Sequence, residues 1–223
     1  MATAMVDGQF CAPHRTAFLM TKSHTEKGSE FVVTRSADGA VSMQVETAHI
    51  GYRNLRSLCL LDVASRRPLI TVEEFKMGKM PRWEAFRGDG TGTSTSDRLF
   101  VALRMLGLSV IGLTVHVFLD GNSSGDRAPD FVVHGHFEAG NMTVSRGVGD
   151  GHDKDIAKID RWNTPAAQNR PAGENVYAIW IKPDVDQAFV LALTVVLDQI
   201  HDGFKCACSC NHTCQRYKRI RRH

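Results

Sequence analysis

With 223 residues, 43% of them hydrophobic and 23% charged, the chain has the makeup of one large globular domain or two small ones, and its composition excludes a disordered or fibrous protein. Its net charge of +3 is unevenly spread. Lys205, Arg216, Lys218, Arg219, Arg221 and Arg222 put +6 on residues 204–223, which hold no acid, and leave −3 on residues 1–203, so the body is not a basic nucleic-acid-binding surface.

Residues 1–15 read as an irregular lead-in containing Pro13. Met1 to Met20 has neither a basic start nor a continuous apolar core, so no secretory signal is expected. The six cysteines are then expected as free thiols in a reducing compartment, and the Asn-x-Ser/Thr matches at Asn122, Asn141 and Asn211 as chance.

Short strands follow at hairpin spacing. They are expected over 16–21, 30–35, 40–46, 57–62, 68–74, 82–87, 98–104, 110–119, 130–136, 141–146, 155–160 and 175–181. Ala37-Asp38-Gly39 and Glu138-Ala139-Gly140 are turn signals, and Val41, Met43 and Val45 alternate on one face. The Gly-, Ser-, Asp- or Pro-rich stretches 88–97, 120–129, 147–154 and 163–174 are expected as surface loops of a single domain.

The chain changes character at 184–201, where a helix is expected. Pro183 disfavours helix at its predecessor, Asp184 can cap the first turn with Gln187 three residues on, and Asp186 suits the positive end of the helix dipole. Gly203 is placed to end the helix, giving a length of roughly 27 Å. From Ala188 to Leu197 only Thr194 is polar. A helix apolar on every side is buried on every side or lies in a membrane, and this run is shorter than the roughly 20 residues a span needs. Only sheet precedes it, so the expected architecture is a closed or nearly closed β-barrel with the helix through its middle.

Several stretches resemble the plant LURP-one-related family, which shares the tubby C-terminal-like fold. They are Phe10-Cys11-Ala12-Pro13, Ser36-Ala37-Asp38-Gly39, Leu58 to Asp62 with Pro68 to Thr71, and Trp83-Glu84-Ala85-Phe86-Arg87-Gly88. The closing stretch is the most specific: Asn175-Val176-Tyr177, then Pro183 through Asp198. The resemblance implies a mainly β fold, a twelve-stranded closed antiparallel barrel around a central hydrophobic C-terminal helix, spanning 16–203. It also implies similarity to phospholipid scramblases and tubby-like proteins, with lipid contact, membrane-tethered transcriptional roles and links to plant defence. The family supplies no catalytic residue to carry over. Arg66-Arg67 and the tail after Gly203 depart from its pattern.

Two groups of residues are candidate sites. Arg66, Arg67, Lys76, Lys79 and Arg82 lie along neighbouring hairpins and can form a surface for a lipid headgroup or other anion, against the alternative of a solvated edge. In the tail, Cys206, Cys208, Cys210 and Cys214 with Arg216, Lys218, Arg219, Arg221 and Arg222 suit S-acylation plus a polybasic membrane patch, or a nuclear signal. A disordered solvated tail is the alternative, and zinc is disfavoured because alternating cysteines lack the two-residue knuckle spacing. Gly88 to Gly92 lacks the Lys-Ser/Thr of a phosphate loop; His134 and His136 share a strand face with only His116 near; His152 to Asp155 reads as a solvated loop; Ser109 and Ser145 have no nucleophile context.

The expectation is therefore a non-enzymatic module without cofactor or metal. It binds an anionic phospholipid, a phosphoinositide among them, or a protein partner, in signalling or defence. The barrel is expected to be monomeric, without nucleic-acid contact or a transmembrane span, in the cytoplasm, peripheral at the plasma membrane, or nuclear. The alternative is a membrane-tethered transcriptional regulator that relocates to the nucleus.

Overall fold

The alternation of apolar side chains through residues 16–181 becomes twelve strands. The computed structural model describes residues 4–25, 28–47, 56–77, 80–90, 97–105, 112–122, 128–136, 140–147, 154–162 and 175–210. The strands are β1 (Thr16–Thr25), β2 (Gly28–Arg35), β3 (Val41–Thr47), β4 (Ser57–Asp62), β5 (Pro68–Met77) and β6 (Met80–Arg87). They continue as β7 (Arg98–Met105), β8 (Leu113–Leu119), β9 (Phe131–His136), β10 (Asn141–Arg146), β11 (Asp155–Trp162) and β12 (Val176–Ile181). A 3-10 turn, η1 (Gly8–Phe10), precedes them, and one helix, α1 (Gln187–Cys210), follows.

Each strand pairs antiparallel with its neighbours in sequence, and β1 closes the ring on β12 with Phe18 opposite Ile179 and Met20 opposite Tyr177. Closure removes the unpaired edges that would invite aggregation. The period of two sends one set of residues into the lumen: Phe31 and Val33, Leu58 and Leu60, Trp83 and Ala85, Val115 and Val117, Tyr177 and Ile179 are all buried.

An eight-stranded barrel is filled by its own side chains, whereas twelve strands enclose a wider lumen that something must occupy. Here α1 occupies it. Every residue from Ala188 to His201 is buried. Phe189 packs edge-on to Phe100 with ring centres 5.3 Å apart and lies 5.1 Å from Phe131. Thr194, the one polar residue from Ala188 to Leu197, returns its hydroxyl to the Val190 carbonyl at 2.9 Å. The β-branched Val190, Val195 and Val196 would suit a strand, but a closed ring offers no edge to pair with, and a helix satisfies its own backbone.

Both helix ends differ from expectation. Asp184 is exposed, has φ of 60° and lies before the helix; its turn carries the chain from the end of β12 towards the barrel axis. The cap is Asp186, whose Oδ1 accepts from the Phe189 backbone N–H at 3.2 Å. Gly203 does not end the helix, which runs on to Cys210, so residues 204–210 are helical rather than an irregular tail. The lead-in is also better defined than expected: Asp7 caps η1, and residues 5–12 are held against the start of α1.

The start of α1, the lead-in and the β2–β3, β4–β5 and β6–β7 connections share one rim, here called upper. The helix crosses the lumen and reaches the lower rim near Asp202, about 24 Å from its start; the last eight residues add about 12 Å.

Candidate functional site

The lower rim is built around a buried lysine. In β1 the inward positions are Phe18, Met20 and then Lys22, which is fully buried. Its ammonium lies 2.6 Å from Asp198 Oδ2 and 2.5 Å from Asp202 Oδ2, both on the last buried turns of α1, and 5.6 Å from the centre of the Phe31 ring. Asp198 accepts in addition from the Tyr177 hydroxyl, from Asn175 Nδ2 at 3.3 Å and from Gln199 Nε2 at 3.2 Å. Arg161 donates to Asn175 Oδ1 and places its other terminal nitrogen 3.4 Å from His201 Nε2. Arg56 extends the group, donating to Gln199 Oε1 at 3.4 Å and lying 4.0 Å from Glu74.

This network bolts the helix to β1, β11 and β12 at the place where it leaves the barrel. A solute does not reach Lys22, so its chemistry is fastening. Burial, reinforced by the charge of Asp198, pushes the Tyr177 phenol well above its ordinary range. Tyr177→Phe is expected to cost about 1–3 kcal/mol, since it removes one donor from a buried carboxylate. A phenol whose pKa is raised by folding supports the fold below its unfolded value of about 10 and loses that contribution as pH rises towards the folded value. The variant's deficit in urea unfolding should therefore be complete at neutral pH and narrow above pH of about 10; a pH-independent deficit would contradict this assignment.

At the upper rim the central group is Asp186, fully buried. While Oδ1 caps the helix, Oδ2 accepts from the backbone N–H groups of Met5 at 3.0 Å, Val6 at 2.7 Å and Asp7 at 3.4 Å. A single carboxylate thus satisfies four main-chain donors, and its charge sits at the positive end of the helix dipole. Cys11 forms a bridge to Asp186, and Asp184 donates its N–H to the Ala12 carbonyl at 2.8 Å. Arg87 holds the same lead-in from the barrel side, donating to the carbonyls of Val6 and Met5. Burial and the carboxylates of Asp186, Asp184 and Asp7 push the Cys11 thiol up, away from thiolate reactivity.

The five basic residues expected to share a surface are not brought together. Arg66 and Arg67 are exposed in the β4–β5 turn at the upper rim, whereas Lys76 lies near the far end of β5, about 30 Å along the strand. Arg82, in β6 opposite Phe75, is ion-paired with Glu84 at 2.7 Å on the outer wall. Lys79 lies outside the described residues. Of the tail candidates, Cys206, Cys208 and Cys210 fall within α1; Cys214, Arg216, Lys218, Arg219, Arg221 and Arg222 lie outside the described residues. Burial, then the neighbouring His134, lowers the His116 pKa, and among the described residues no three His, Cys, Asp or Glu side chains converge on a metal position.

Sequence reasoning passes over Lys22 and Arg161, and it cites Asn175, Tyr177 and Arg87 only as motif residues without a role. The signal for Lys22 was present: it continues the inward series of Phe18 and Met20. The sequence reading gives Asp186 a place at the helix dipole and Asp198 only a place in the closing motif, yet both are buried partners of the barrel.

A closed twelve-stranded antiparallel barrel threaded by one C-terminal helix, fastened at both rims by buried aspartates, defines a tubby-like class of helix-filled barrels. Within that class, the profile of the LURP-one-related (LOR) family matches residues 15–198, and the chain belongs to that family. It is similar to Protein LURP-one-related 15 of Arabidopsis thaliana, 26% identical over 198 residues that cover 88% of this chain and 85% of the relative. It is similar also to Protein LURP-one-related 10 of the same plant, 28% identical over 199 residues covering 89% and 96%. Protein LURP1, again from Arabidopsis thaliana, is 23% identical over 197 residues covering 88% and 89%. No described helix is long and apolar enough to cross a membrane.

Proposed function

We propose that this protein is a non-enzymatic binding module of the LURP-one-related family that engages an anionic phospholipid surface through the segment leaving its lower rim. On this reading it is a peripheral membrane protein of plant signalling or defence. The observation that supports it is the direction of α1. The helix fills the lumen, which leaves contacts to the outside of the barrel, and it leaves the barrel at the lower rim, where the sequence enters the stretch 203–223 with its six cations and no acid. Each cation near an anionic leaflet contributes about 1 kcal/mol, and acylation of tail cysteines would add the second signal that stable anchoring needs.

The test is co-sedimentation of the full chain and of a chain ending at residue 203 with neutral and phosphoinositide-containing vesicles. The full chain should bind the anionic vesicles, at least about tenfold better than the shortened one, and lose that binding as salt is raised. Equal binding by both chains would move the lipid contact to the barrel. Absence of binding, with nuclear accumulation that depends on Arg216 to Arg222, would instead support a regulator that relocates to the nucleus.

A further inference from the structure

Between the lead-in and the barrel wall at the upper rim lies a hollow of about 250 Å³. Val6 and Phe10 form its wall on the lead-in side, and Pro68 and Leu69 form it on the barrel side. Four charged residues line it as well: Asp7, Arg67, Arg87 and Asp89. Three of these are engaged. Asp7 accepts through Oδ1 from the Gln9 backbone at 3.1 Å and through Oδ2 from the Gln9 side chain at 3.4 Å. Arg87 is spent on the carbonyls of Met5 and Val6, and Asp89 has a partner of its own.

Arg67 differs. It is exposed, its main chain is fixed by the Asp62 N–H donating to its carbonyl at 3.0 Å, and its guanidinium has no hydrogen-bond or ion-pair partner among the described residues. A guanidinium is a rigid fork that matches a carboxylate or phosphate with two parallel hydrogen bonds. Beside it stand apolar surfaces from Phe10, Leu69 and Pro68. The hollow is lined by polar and apolar groups in about equal measure, and Arg67 is the charged side chain in it without a partner among the described residues.

From this juxtaposition we infer that the hollow is a binding site for a small amphipathic oxyanion, a carboxylate or phosphate with a compact apolar group, whose charge pairs with Arg67 and whose apolar part rests on Phe10 and Leu69. The site is at the opposite rim from the exit of α1 and is independent of the membrane contact proposed above. It is also separate from Arg66, which shares the turn and does not line the hollow.

The probes are phenyl phosphate and benzoate, with benzyl alcohol as the uncharged analogue, titrated into the full chain and followed by amide chemical shifts. Both anions should bind saturably and shift the amides of Val6, Gln9, Phe10, Leu69 and Gly88, and benzyl alcohol should not. Arg67→Ala should weaken the anions by about tenfold or more, the usual cost of losing a charge-assisted hydrogen bond. Arg66→Ala should leave them within about twofold, since loss of a solvated charge changes only the screened background. Equal weakening by both substitutions, unchanged binding in Arg67→Ala, or shifts away from the upper rim would overturn the site. The source of the anion follows from vesicles containing phosphatidic acid and the chain ending at residue 203. Arg67-dependent capture, released by phenyl phosphate, identifies a lipid headgroup; anion binding without such capture identifies a free solute. Either result sustains the site.

Discussion

Lys22→Met is expected to destabilise the domain by about 3–5 kcal/mol, a large part of the roughly 5–15 kcal/mol that holds a domain of this kind together. The substitution leaves the carboxylate of Asp198, 1% exposed, without the cation that neutralises it. Asp202 is 30% exposed and can turn towards water, so the penalty falls mainly on Asp198. The Tyr177 hydroxyl and the Asn175 amide remain as donors, and they bound the loss rather than cancel it. Asp198→Asn should cost less than Lys22→Met, because Asp202 still pairs the lysine. The double variant Lys22→Met with Asp198→Leu should recover much of the loss, since an apolar pair of similar volume needs no desolvation of charge. Urea unfolding followed by fluorescence of Trp83, 1% exposed inside the barrel, measures all three. If Lys22→Met fell within about 1 kcal/mol of the parent, the network would be ornament and the helix would be held by apolar packing alone.

The contrast between what was readable in advance and what was not has a common physical cause. Twelve strands and the central helix were legible because each is written in local periodicity: Val41, Met43 and Val45 alternate, and Ala188 to Leu197 is apolar on every side. The strand boundaries moved by a few residues where polar side chains at strand ends, such as Lys22 and Ser23 in β1, hid the continuation. The helix cap was displaced from Asp184 to Asp186 because the competing donors come from residues 5–7, about 180 positions away in sequence. Gly203 was read as a stop by its residue type, but a glycine inside a helix costs only about 1 kcal/mol, which the continuing hydrogen-bond ladder offsets. The basic candidates failed to assemble for a related reason. Sequence proximity along an extended strand is distance in space, so Arg67 and Lys76 sit at opposite rims. Arg67 instead lines the same hollow as Arg87 and Asp7, a neighbourhood that no local pattern announces.

Asp186→Ala should cost about 4 kcal/mol and act at a distance, by freeing the lead-in. The substitution strands one helix donor, at Phe189, and three lead-in donors, at Met5, Val6 and Asp7. Loss of a cap alone costs about 0.5–2 kcal/mol, and each buried donor left unsatisfied about 1–3 kcal/mol, but the lead-in can peel away to water and so limits the sum. That escape route makes the effect diagnostic. Amide hydrogen exchange at Met5 to Asp7 should rise far more than at Val195 or Val196 in the middle of α1, because local release is cheaper than withdrawing the helix from the lumen. Asp186→Asn should restore part of the loss, since its carbonyl oxygen can still accept while the favourable charge at the helix start is gone. The hollow shared by Val6, Phe10 and Arg67 would lose one wall in Asp186→Ala, so phenyl phosphate binding should fall with lead-in protection while the barrel remains folded. Uniform exchange across α1 and the lead-in would instead mean that the carboxylate holds the whole helix in place, and that the upper rim opens only when the barrel does.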